Sequence, residues 1–407
     1  MRVPSRFSTF DREGVVLLFL GYVCFSMFGA TLGVALPELM LEFSISETQA
    51  GWLYSASLLP TAILLTPSGY FADRVGRKTL LLSGYLLLAI GVTAMSFSRG
   101  YLECLAALVT AGAGAGLLIP SYYTMVGEAL TRARGLAIGF AAGAYHLGAS
   151  IGSILIGFYA SQQLWRFAYY DMAIIIFLVM VVQYVRVRPL PTRTKSDAAS
   201  KLHPSLITMM KERNLLVLSI SSLLANIGFS AACAWLPTFF ISFAGLDTAS
   251  AGLVFGLFLL TGSVAQPATG ALSDRIRRSR IASTCGITSA VLSVPMLMTH
   301  YSFWASIGYS LLFGLLLFPF WNLLITIAQE SVRDEFRASV TGIIQTIGLV
   351  GSALGPIIAG SLMAVAGINR ALVCSITLPL LAYGVLALAI LETSKCQHTG
   401  HLMKRKP

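Results

Sequence analysis

Apolar residues run along this chain in blocks of about 20, separated by short polar segments, and this periodic blockiness dominates every other pattern in it. At ~1.5 Å per residue, such a block carries a helix through a ~30 Å hydrocarbon core. Twelve helices are predicted, at about 14–36, 49–71, 78–97, 101–124, 135–160, 167–187, 214–243, 250–271, 281–299, 303–328, 338–365 and 370–391. The first block is too long for a secretory signal and lacks a small-x-small cleavage site before Pro37, so it is kept as helix 1.

Composition agrees with that reading: 56% of residues are hydrophobic and only 11% charged, far from the balance of a soluble domain. A net charge of +11 raises the question of nucleic acid. The distribution answers it, because all of the 28 lysines and arginines except Arg99, Arg166 and Arg370 fall in loops on one side of the alternating helices. That is the positive-inside pattern of a multi-pass protein of a plasma or inner membrane, with both termini cytoplasmic and no nucleic-acid surface. The cysteines are scattered singly, with neither disulfide nor zinc spacing. No metal or other cofactor is expected.

A polar stretch, RVRPLPTRTKSDAASKLHPS, divides the chain near its middle and reads as a flexible linker. The expected organisation is a bundle at 1–187, a cytoplasmic linker at 188–213, a second bundle at 214–395 and a tail at 396–407. An internal repeat supports the division. A shift of 201 lays Ala50-Gly51 on Ala251-Gly252, Gly69 on Gly270 and Asp73-Arg74 on Asp274-Arg275. A shift of 203 lays Arg134 on Arg337, and Gly139, Gly148, Gly152 and Gly157 on Gly342, Gly351, Gly355 and Gly360. Parallel six-helix repeats about an axis along the membrane normal are one architecture of secondary transporters.

The segment GYFADRVGRK at 69–78 concentrates charge at the end of helix 2. Gly69 permits close helix approach, Gly76 a tight turn, and Asp73 can accept hydrogen bonds from the open N-terminus of a neighbouring helix. With its echo GALSDRIRRSR at 270–280, this segment resembles the signature of the major facilitator superfamily, and the resemblance covers nearly the whole chain. It implies an all-α membrane fold of twelve helices in two six-helix bundles. It also implies that Asp73 meets the start of helix 11, that Arg77 pairs with Glu128, and that Asp274, Arg275 and Glu330 form the second-half counterpart. Arg74, Lys78, Arg277, Arg278 and Arg280 read as solvated loop charges. Such a cluster acts as a gate, stabilising the state in which the cytoplasmic faces touch.

Glycine-rich runs in helices 4, 5 and 11 have the small-xxx-small spacing that lets helices pack backbone to backbone. GASIG at 148–152 also satisfies G-x-S-x-G, but it lies in mid-helix, and its repeat places Ala353 opposite Ser150, so packing explains it better than hydrolysis. The protein is not expected to be an enzyme. Proton-driven efflux families that the chain resembles carry Gly-Pro and an Arg where this sequence has Ala149 and Leu108.

Every carboxylate falls in a loop or near a helix end, and no Arg or Lys lies at mid-depth. Candidate solute and proton contacts are therefore the mid-helix polar groups: His146 with Tyr145 in helix 5, Tyr54, Tyr122 and Tyr123 in the first half, and Asn226, Trp321, Asn322 and Gln345 in the second. A histidine facing a wet cavity can take up and release a proton. Gln266, beside Pro267, reads as repair of a kinked backbone. The expected function is alternating-access transport of a small organic solute, carboxylated or hydrogen-bonding, by a monomer in the lipid bilayer. It acts as a facilitator or as a proton symporter through His146. Proton-coupled efflux and a non-transporting receptor are the alternatives.

Overall fold

The computed structural model describes residues 12–129, 134–187, 213–273, 275–298, 302–332 and 336–390; the side chains at 12, 73, 127–142, 296–298 and 338 fall outside that description. The described residues are almost wholly helical. Helix α1 runs as Arg12–Gly29 and, after a break, Thr31–Phe43, followed by α2 (Glu47–Val75), α3 (Arg77–Phe97), α4 (Tyr101–Ala129), α5 (Arg134–Ala160) and α6 (Trp165–Arg186). The second half comprises α7 (Arg213–Ser242), α8 (Thr248–Leu272), α9 (Arg278–Met298), α10 (Phe303–Leu317 and Phe320–Glu330), α11 (Arg337–Ala366) and α12, which is Ile368–Leu372, a π-helical turn Val373–Thr377 and Leu378–Leu388. Among the described residues, nine helical segments are long and apolar enough to cross a membrane. The helix ends that adjoin the basic segments define one face of the bundle, here the basic face, and the opposite ends define the sparse face.

Local chemistry sets the helix ends. Ser46 caps α2, its hydroxyl accepting from the Gln49 N–H at 3.3 Å while Gln49 Oε1 accepts from the Ser46 N–H at 2.9 Å. Pro37 does not end α1, which continues to Phe43 and stops where Ser44 adopts φ 50°. Within α10 the chain breaks at Phe318-Pro319, where proline supplies no N–H to the preceding turn.

The halves meet along two seams, α2 with α11 and α5 with α8, each the other's counterpart under the repeat. The atomic contacts repeat too. A Cβ on Gly157 would lie 3.1 Å from the Thr248 carbonyl oxygen, and one on Gly360, its counterpart, would collide with the Glu47 carbonyl, which matches Thr248. Ser55 donates to the Ala353 carbonyl at 2.6 Å, and Gly256, the counterpart of Ser55, packs on the carbonyl of Ser150. Gly33 of α1 abuts the backbone of Cys233 and Ala234 of α7, next to its own counterpart and so near the pseudo-twofold axis. Every one of these contacts lies in the sparse-face half of the helices. On the basic face, Gly69, Gly270 and Gly342 have open space where a side chain would go. Among the described residues, the halves are sealed at the sparse face and parted at the basic one.

A polar clamp fastens the sparse face of the first half. Glu42 accepts from Trp165 Nε1 at 2.7 Å and pairs with Arg166 Nη1 at 2.7 Å, while Arg166 Nη2 donates to the Ser98 carbonyl at 2.8 Å. The Arg166 and Glu42 side chains are about a third exposed, so solvent screens the charge term and the directional hydrogen bonds carry the effect. Arg166→Ala is expected to lower the thermal midpoint in detergent by roughly 2–4 °C. Arg166→Lys, which keeps the charge without the fork, recovers only part of it. An unchanged midpoint would show that the clamp holds nothing.

Candidate functional site

The charged segment at 69–78 folds as the junction of α2 and α3. Gly76 has φ 97°, a backbone conformation that disfavours any side chain, and its N–H closes α2 on the Ala72 carbonyl at 3.1 Å. Arg77 opens α3. Arg74 lies over the Tyr70 ring at 4.3 Å, and Lys78 Nζ donates to the Tyr184 carbonyl at 2.7 Å, so both are engaged within their own half. The side chains of Asp73 and Glu128, and all of Asp274, lie outside the described residues, so the pairings expected of them are not observed. In the second half Glu330 pairs with Arg278, which also donates to Ser273 Oγ at 3.3 Å. The reason is positional. Arg275 sits on an exposed turn closed on Leu272, whereas Arg278 begins α9, directly beside the end of α10.

Above this face, at mid-depth, the first half presents tyrosines. Tyr22 of α1 stacks on Tyr122 of α4 with ring centroids 3.9 Å apart and planes 4° from parallel; Tyr123 and Tyr145 flank it at 5.8 and 6.2 Å. Tyr54 is buried, and it and Tyr145 lie near Cys233 of α7, across the division between the halves. Tyr22 escaped the sequence reading, although its mid-helix position was the same signal that drew attention to Tyr54 and Tyr122.

The second half presents amides and aromatic rings. Asn226 is buried, with Nδ2 donating to the Ser222 carbonyl at 2.8 Å and Oδ1 accepting from Ser352 at 3.1 Å. It joins α7 to α11. A small recess opens beside it, lined by Ser222, Phe320, Trp321, Ile344 and Gln345. Trp321 and Gln345, on α10 and α11, are only partly buried.

Between the two walls runs one continuous chain of side chains. Asn322 Nδ2 donates to Gln266 Oε1 at 3.2 Å, and Gln266 Nε2 lies 2.9 Å from His146 Nε2. With its Oε1 turned to Asn322, Gln266 is the donor to histidine, which makes His146 Nε2 the acceptor and leaves the ring proton on Nδ1. His146 is 5% exposed; its ring lies against Gly262, with the Phe318 ring edge-on at 4.5 Å, and Nδ1 has no partner among the described residues. The chain links α5 of one half to α8 and α10 of the other. Gln266, read from sequence as kink repair, is its central member. The serine of the G-x-S-x-G match, Ser150, is buried in mid-helix in the α5–α8 seam.

Two helical bundles related by a pseudo-twofold axis, sealed at one membrane face and parted at the other around an uncharged polar site, define a membrane transporter of the two-bundle type. A sequence model of the Major Facilitator Superfamily matches residues 18–356 and, overlapping, 245–398, and the chain belongs to that family. It is 24% identical over 371 residues to the 3-(3-hydroxy-phenyl)propionate transporter of Escherichia coli (strain K12), covering 89% of this chain and 90% of that one. It is 25% identical over 392 residues to the gallate transporter of Pseudomonas putida, covering 86% and 85%. Among solved structures, a bacterial homolog of the human lysosomal transporter Spinster, inward-facing and unoccupied, superposes with a TM-score of 0.81 at 13% identity, over 97% of this chain and all of that one.

Proposed function

We propose that this protein carries a small organic acid with a hydroxylated or unsaturated carbon skeleton across the membrane by alternating access. The observation that carries the reading is the pairing of walls at mid-depth. Tyr123 and Tyr145, partly exposed beside the buried Tyr22–Tyr122 stack, supply flat apolar surface and phenol groups; the facing amides and Trp321 supply hydrogen bonds. A planar, oxygen-rich solute matches both. Relatives that transport a hydroxyphenylpropionate and gallate over most of the chain's length point to the same chemistry.

The basic loops set the orientation by the positive-inside rule, so the parted face is cytoplasmic and this conformation is inward-open. Closure of that face brings Gly69 and Gly342 together, and the 69–78 cluster then bridges to α11 as the cytoplasmic gate. The test is uptake by proteoliposomes from a solute panel, with and without an imposed pH gradient. Hydroxylated benzoates and arylpropionates are expected to move and amphipathic cations to stay. Movement of the cations alone would establish efflux, and binding without movement of any solute would establish a receptor.

A further inference from the structure

We infer that the site carries its solute uncharged, each carboxylic acid crossing with its own proton, so that coupling to protons resides in the solute instead of in a side chain. This rests on the organic-acid reading above. At mid-depth none of the twelve spans contains Asp, Glu, Lys or Arg. The carboxylates nearest to entering are committed elsewhere, near the sparse face: Glu42 to Arg166 and Trp165, Glu103 to the Arg99 N–H at 2.7 Å, Asp171 to the Tyr159 hydroxyl at 2.5 Å, and Glu38 to Thr248 at the seam.

His146 is the remaining candidate proton carrier, and its surroundings oppose a charge. Both nitrogens of an imidazolium are donors, so Nε2 would face the Gln266 NH2 group, donor against donor. Gln266 could then accept only by turning over, which breaks its bond to Asn322. The ring itself lies between Gly262 and Phe318, away from water. The other titratable groups around the site are the phenols of Tyr22, Tyr54, Tyr122, Tyr123 and Tyr145 on α1, α2, α4 and α5, and the Cys233 thiol on α7; α8, α10 and α11 add none at this depth beyond their amides. At their ordinary values these groups are neutral at physiological pH. A carboxylate anion entering this site leaves water without a cation to meet it, a cost of several kcal/mol. A carboxylic acid offers one donor and one acceptor, which is the complement of a carboxamide such as Gln345.

The balance is simple. A carboxylate takes one proton from the more acidic bathing solution, crosses as the acid, and releases that proton on the other side: one proton per solute and no net charge.

The experiment uses the full chain in proteoliposomes, with 3,5-dihydroxybenzoate as the transported probe, the potential clamped by potassium and valinomycin, and protein-free vesicles subtracted. Flux should not respond to the potential, and should fall about tenfold per pH unit above the probe's own pKa. 3,5-Dihydroxybenzamide, always neutral, should compete equally at pH 6 and pH 7.5, and 3,5-dihydroxybenzenesulfonate, always anionic, should not compete. His146→Gln should keep the pH slope whatever it does to the rate. Flux that follows the potential, competition by the sulfonate, or a slope lost in His146→Gln would overturn the proposal. No flux of any dihydroxybenzoate at any pH would overturn the organic-acid reading itself, an outcome distinct from flux carrying charge.

Discussion

Gly252→Leu is expected to lower transport roughly 5- to 150-fold while leaving a folded, monodisperse protein. At the α5–α8 crossing a Cβ on Gly252 would sit 2.8 Å from the Gly157 Cα and 2.9 Å from the Ser153 carbonyl oxygen, and the Ser153 hydroxyl donates to the Gly252 carbonyl at 3.1 Å. The obstacles are backbone atoms, which cannot rotate aside, so the sparse face cannot seal with a side chain present. Each half keeps its own packing, and the penalty falls on the sealed state alone. Overpacking of about 1–3 kcal/mol shifts a two-state equilibrium by roughly 5- to 150-fold. The alternating-access cycle proposed above needs that state in order to turn over. The checks are initial flux and the reactivity of a cysteine introduced near the sparse-face end of α8, which should rise. Gly308→Leu, in α10 with open space beside it, is the control and should transport normally. Normal flux in Gly252→Leu would mean that the seam is not part of the cycle.

The second large effect is expected at Gln266. Gln266→Leu removes both bonds of the Asn322–Gln266–His146 chain, leaves the His146 acceptor buried without a donor, and cuts a side-chain connection between the halves at mid-depth, leaving the bond from Ser263 to the Gly143 carbonyl one turn away. Two hydrogen bonds at about 0.5–1.5 kcal/mol each give a loss of roughly 5- to 150-fold in flux or apparent affinity. Gln266→Leu combined with His146→Phe removes donor and acceptor together and should recover part of the loss, because leaving a buried group unpaired costs more than removing both partners. If Gln266→Leu transported normally, Gln266 would be the kink repair that its neighbour Pro267 suggests.

Much of the architecture was legible in the order of residues because a bilayer punishes error. A span must be long, apolar and internally hydrogen-bonded, so its length and uncharged centre are written directly into the chain. Loop charges obey topology, and among the glycines that repeat at 201 and 203, Gly51, Gly157, Gly252 and Gly360 are those that touch the other half in the seams, while Gly148, Gly152, Gly351 and Gly355 pack on α1 and α7 within their own half. Gly76 was readable for a similar reason, since a turn at φ 97° leaves few residue choices.

The site was legible only in part. His146, Asn226 and Asn322 stood out because a polar group is expensive inside a span, but that cost names the residue and not its partner. Asn226 is spent tying α7 to α11, while His146 and Asn322 are joined through Gln266. Nothing in the spacing of 146, 266 and 322 signals that three helices from two halves bring them within hydrogen-bonding reach. Arg278 illustrates the same limit, because the turn that exposes Arg275 and the start of α9 decide which arginine reaches Glu330.

By itself, then, the sequence determined a two-bundle membrane protein of repeated halves with a charge-free middle, because hydrocarbon selects composition position by position. The tertiary structure decided which face is open and which polar groups meet, because both depend on how far one helix stands from another, and that distance is set by small residues packing across the seams.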